Sequence, residues 1–127
     1  MKHLVLAAAF AVTTSAAVAQ GRPDVPIIIE ETDTGACSNG VVVGLDPHGD
    51  GFLAVKAGPS IHYRRIDRLF NGQELNICGS TGPWLAIVYS KRGQECNVNG
   101  PWQRTLPYTG PCLSGWVHRR WVEATAG

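Results

Sequence analysis

The amino-acid sequence predicts a small all-β fold made of short, bent antiparallel strands. Three observations carry this. Leu53, Val55 and Ala57 share one face of an alternating run while Ala54 and Lys56 share the other, and the run stops at Gly58-Pro59. Further apolar runs recur at Gly40 to Leu45, Gln73 to Gly79, Trp84 to Tyr89 and Gly115 to Val122, set apart by turn-type residues. The 127 residues set a ceiling of one small domain.

In chain order, Met1-Lys2-His3, an apolar run from Leu4 to Val12 and Ala17-Val18-Ala19 before Gln20 have the pattern of a secretory signal over residues 1–19. The run is short and rich in Ala and Thr for a membrane span, so no membrane span is expected once the signal is cleaved. Residues 20–39 read as an acidic, proline-containing tether around Ile27-Ile28-Ile29; alternatively these isoleucines add an edge strand, or they pack on the domain. Gly40 to Leu45 is a Val-rich strand, followed by a turn at Asp46-Pro47-His48-Gly49-Asp50-Gly51. That turn lacks the acidic twelfth position of a calcium loop, where Ala57 stands, and reads as a plain connection. Ser60 to Gly72 carries His62, Tyr63, Arg64, Arg65 and Arg68, a basic and aromatic surface. Two central strands follow, Gln73 to Gly79 and Trp84 to Tyr89, joined through Ser80-Thr81-Gly82-Pro83. The closing strand is Gly115 to Val122, where Trp116, His118 and Trp121 alternate irregularly with Val117, Arg119 and Arg120.

Leu53-Ala54-Val55-Lys56-Ala57-Gly58-Pro59-Ser60 resembles the signature of bacterial SH3 (SH3b) domains, with Lys56 where that family usually has arginine. Ile66 to Gly72, the strand from Glu74 to Cys78, Gly82-Pro83-Trp84-Leu85-Ala86-Ile87-Val88 and Gly115-Trp116-Val117 continue the resemblance across residues 40–123. It implies an SH3-like barrel of five or six strands. The normally short hairpin before the last strand is replaced by a long insertion over 91–112, in which Trp102, Leu106 and Tyr108 either enlarge the core or face a ligand. In the resembling fold a groove lies between a long loop, which the resemblance places at Ser60 to Gly72, and the loop joining the second and third strands. Tyr63, Trp84 and Trp116 are the residues expected to line it, with Arg64, Arg65 and Arg119 at its rim. Eukaryotic SH3 recognition of proline-rich peptides is not carried over, because neither its Ala-Leu-Tyr-Asp-Tyr run nor its Pro-x-x-Tyr is present.

Four cysteines in a small exported chain read as two disulfides. Cys37 and Cys78 bracket the first half of the domain and Cys96 and Cys112 bracket the 91–112 segment, so these two bridges make up the preferred one of the three possible connectivities. Strand alternation sets Cys78 with Glu74 and Asn76, opposite Leu75 and Ile77 and outside the core. A zinc site is disfavoured, since no Cys-x-x-Cys pair and no helical His pair occurs.

From Gly21 to Asp50 one basic residue faces six acids, whereas from Gly51 onward nine basic residues face four. Such asymmetry fits association of the two parts or attraction of anions. Nucleic acid is excluded as a partner by export and by the scatter of the basic residues. No paired carboxylates, nucleophile elbow or phosphate loop is present, so no enzyme activity and no cofactor are expected. The chain reads as a periplasmic or secreted bacterial binding module for peptidoglycan peptides or an envelope protein. The second reading is a disulfide-stabilised envelope protein that inhibits or docks onto another protein through 91–112.

Overall fold

The computed structural model of the chain describes Ala9 and residues 22–125. Apart from Ala9, the expected export signal and its cleavage point lie outside the described residues. The all-β expectation holds. Among the described residues there are nine strands, β1 (Ile28–Ile29), β2 (Ser38–Val42), β3 (Leu53–Lys56), β4 (Arg65–Leu69), β5 (Glu74–Thr81), β6 (Trp84–Tyr89), β7 (Leu106–Pro107), β8 (Leu113–His118) and β9 (Val122–Thr125), with one 3-10 turn at Arg119–Trp121.

The seven longer strands form one antiparallel sheet in the order β4-β3-β8-β6-β5-β2-β9, and β1 pairs separately with β7. The expected barrel of five or six strands is instead a seven-stranded sheet that does not close: the outer strands β4 and β9 are not hydrogen-bonded neighbours among the described residues. What joins the two ends is apolar packing. Leu69 of β4 and Val122 of β9 reach the same cluster, centred on Val42, Val55, Leu75, Ile87 and Val117. Side chains can meet across a bend that backbone hydrogen bonds do not span, because the hydrophobic contribution follows buried area and has no directional requirement. On the β3–β8 seam, the ideal Cβ of an alanine at Gly115 would press into Val55 Cγ1, so glycine allows the two strands to approach.

Two segments differ from their sequence reading. The long loop expected over Ser60 to Gly72 contains strand β4, whose Val55↔Asp67 and Leu53↔Leu69 pairings build the sheet edge. Its charged residues, Arg65, Asp67 and Arg68, mimic a loop in the sequence, yet charge is what an edge strand carries against stray pairing. The closing strand is broken after His118, whose Nδ1 accepts from the Arg120 amide at 3.1 Å and starts the 3-10 turn. The chain then re-enters the sheet as β9, beside β2. The irregular alternation at Trp116, His118 and Trp121 is the sequence trace of that turn.

The sheet is covered on its second face as well. Trp84, Ala86 and Val88 of β6 and Trp116 of β8 point away from the first cluster into another one, formed with Ile27, Ile29, Cys37, Cys96 and Val98. The residues from Val25 to Ile29 alternate between inward and outward facing, and Ile27 and Ile29 are fully buried. The segment read as a tether is therefore ordered and packed on the domain. It also pairs with the 91–112 segment, through Ile28↔Pro107, Ile29↔Leu106 and a bridge at Thr32↔Trp102. Cys78 does lie opposite Leu75, but its face is this second cluster and not solvent.

Candidate functional site

Both expected disulfides are present, Cys37–Cys78 with Cα atoms 4.3 Å apart and Cys96–Cys112 with Cα atoms 5.4 Å apart. Around the second bridge, the Tyr108 hydroxyl donates to the Cys96 carbonyl at 3.2 Å and accepts from the Cys112 amide at 3.1 Å. Tyr108 thus ties together the backbone on both sides of the neck, and burial pushes its phenol pKa up. Trp102 and Tyr108 fold back into the second cluster, whereas Leu106 stays 47 % exposed on the outside. Two disulfides fit an oxidising compartment outside the cytoplasm. No described helix is long and apolar enough to cross a membrane.

The residues expected to line a groove are separated in their roles. Trp116 is buried, and its indole N–H donates to the Val25 carbonyl at 2.9 Å, so the N-terminal segment caps it. Arg64 is held by the same segment, through Asp24 at 3.0 Å and the Arg22 carbonyl at 3.5 Å. Tyr63 lies over Gly58, where an added Cβ would come within 2.5 Å of the ring. Gly58 therefore makes room for its own loop, a contact beyond the backbone freedom that a turn glycine usually supplies. Trp84 is half-buried and meets His118 edge-on at 5.6 Å, and β6–β8 register places both on the face that Trp116 shares. Arg119 is exposed, and its amide donates to the Pro83 carbonyl. Trp84 and Trp116 are thus neighbours in one cluster, while Arg65 belongs to another surface.

That other surface has no counterpart in the motif reading. Arg65 and Arg68 both stand over the Phe52 ring, at 5.2 and 4.8 Å from its centre. Between them Asp67 accepts from the Tyr89 hydroxyl at 2.6 Å, from the Arg68 amide at 2.8 Å and from the Lys91 ammonium. Burial would raise the Asp67 pKa, but the hydrogen bonds from Lys91, Tyr89 and Arg68 outweigh it and lower it. Burial, followed by the Asp67 charge, drives the Tyr89 phenol well above its ordinary range. A cavity of about 450 Å³ adjoins this cluster, lined by Asp67, Lys91, Arg92, Gln94 and Leu113 among others. A shallow, solvent-open depression shares Ile66, Asp67 and Lys91 with it and extends to Arg65, Arg68 and Phe70. In sequence the only trace was the Arg-rich stretch, because Tyr89 and Lys91 lie more than twenty positions from Asp67.

Fold and surface together define a small, doubly disulfide-bonded all-β domain that displays a long, tied excursion. No family model, curated protein or solved structure matches the chain. Among the described residues, no group of three or more His, Cys, Asp or Glu side chains is placed to hold a metal ion.

Proposed function

We propose that the protein is an exported, non-catalytic binding module of the bacterial envelope that docks onto another protein through residues 91–112. The observation that carries this reading is the fastening of that segment. A long excursion closed by Cys96–Cys112, cross-tied by Tyr108 and paired to the N-terminal segment meets a partner with little further loss of conformational freedom. Long ordered loops in compact domains serve binding more often than stability. Exposed Leu106 on this segment and Ile28 on its pairing strand offer apolar contact there.

The SH3b resemblance supports a wall-associated module in the broad sense. A wall peptide entering between Tyr63, Trp84 and Trp116 would have to displace Val25 from the Trp116 indole and compete with Asp24 for Arg64. Docking through 91–112 requires neither.

The test is affinity capture from native envelope extract, with wild type and with an Arg104→Ser, Leu106→Ser variant whose fold is confirmed by far-UV circular dichroism. One stoichiometric partner held by the wild type and lost by the variant is the expected result. Saturable binding to purified peptidoglycan, weakened by Tyr63→Ala or Trp84→Ala, would replace docking with wall recognition.

A further inference from the structure

We infer that the cleft between β4 and the neck of the 91–112 segment receives an acidic, extended peptide segment of the partner protein. This rests on the docking reading above and assigns its partner chemistry. Four cations, Arg65, Arg68, Lys91 and Arg92, line the cavity and the adjoining depression against one carboxylate, Asp67. That carboxylate is ion-paired with Lys91, which leaves the three arginines as the uncompensated cations. Among the described residues no carboxylate lies within salt-bridge range of Arg65, Arg68 or Arg92.

The cations are also held in place. The cation–π contacts of Arg65 and Arg68 with Phe52 hold both guanidinium groups near one ring, and a guanidinium can grip a carboxylate in bidentate fashion. Asp67, anchored by buried Tyr89, keeps the Lys91 ammonium at the cleft wall and acts as a positioning residue. Phe70, 59 % exposed, adds apolar area at the same cleft. Arg65 and Arg68 stand three residues apart on β4, over one ring and beside exposed Phe70. An extended chain that carries carboxylates together with apolar side chains complements this combination of cations and exposed Phe70.

The test is fluorescence anisotropy with a labelled octapeptide alternating aspartate and leucine, blocked at both ends, against the same peptide with asparagine for aspartate. Saturable binding that weakens with added salt is expected, with the asparagine peptide binding at least about tenfold more weakly. Arg65→Gln with Arg68→Gln should weaken binding by at least about tenfold, and Arg119→Gln with Arg120→Gln should leave it unchanged. Equal losses from both pairs of substitutions would mean diffuse attraction and overturn the assignment, as would the absence of saturable binding. Salt-sensitive self-association by sedimentation, abolished by the Arg65 and Arg68 changes, would assign the cleft to a second copy and overturn it too. Capture of a native partner that survives those changes but not the Arg104 and Leu106 changes would leave docking intact and remove the cleft as its site.

Discussion

The Trp116 indole N–H donates to the Val25 carbonyl at 2.9 Å across 91 residues of sequence, fastening the N-terminal segment to a central strand. Trp116→Phe keeps an aromatic ring but deletes that donor and leaves the Val25 carbonyl short of a partner. A loss of about 1–2 kcal/mol is expected, read from the midpoint of urea unfolding. An unchanged midpoint would show that the segment does not need this bond.

Ile27 and Ile29 have no exposed surface to speak of, at 1 % and 0 %. Each Ile→Ala change should cost about 2–4 kcal/mol and lower the midpoint of the whole domain. Ile28→Ala, at an exposed neighbouring position, should have a far smaller effect. Equal small effects at all three positions would mean that the segment docks too weakly to belong to the folding unit.

Replacing Cys96 and Cys112 by serine removes a bridge closing a separation of 16 residues, with an expected loss of about 3 kcal/mol. Amide exchange should accelerate first between 94 and 112, and at Thr32 and Cys37 where the two segments pair. The β3–β4 amides should respond least. Uniform acceleration throughout the domain would show that the neck and the sheet open together.

The Asp67–Tyr89 contact makes stability depend on pH at both extremes. Asp67 has its folded pKa lowered from 3.8, so its contribution is present above that value and is lost as pH falls through the lower, folded pKa. Tyr89 has its folded pKa raised from 10.0, so its contribution is present below that value and declines as pH rises beyond it. Tyr89→Phe should flatten both limbs of a stability–pH curve relative to wild type and cost about 1–2 kcal/mol near neutrality. Parallel curves for the two proteins would sink the assignment.

Gly115→Ala drives a methyl group toward Val55 Cγ1 and should cost about 1–3 kcal/mol. Combined with Val55→Ala, the loss should be smaller than the sum of the two single changes, because the second substitution vacates the space that the first one needs. Additive losses would locate the strain elsewhere.

Several features were legible in the sequence itself. Period-two alternation placed Leu53, Val55 and Ala57 on one buried face, Gly58-Pro59 ended the strand, and bracketing by position paired Cys37 with Cys78 and Cys96 with Cys112. Trp84 to Tyr89 was legible as a central strand, though not that both of its faces are covered. Alternation is a local property, set by the pleat, and survives without knowledge of the rest of the chain.

What covers the second face was decided only in three dimensions. The same residues from Val25 to Ile29 serve as tether or as docked strand, and the choice depends on whether a distant surface offers Trp116 and Val98 to pack against. Trp116 was legible as an aromatic on a strand, but its removal from a groove depends on a carbonyl 91 residues away. Asp67, Tyr89 and Lys91 are likewise ordinary residues in sequence, joined only because β4 and the end of β6 converge at one edge of the core. Such contacts require long loops of chain to close, and their partners carry no local mark, so tertiary packing alone selects them.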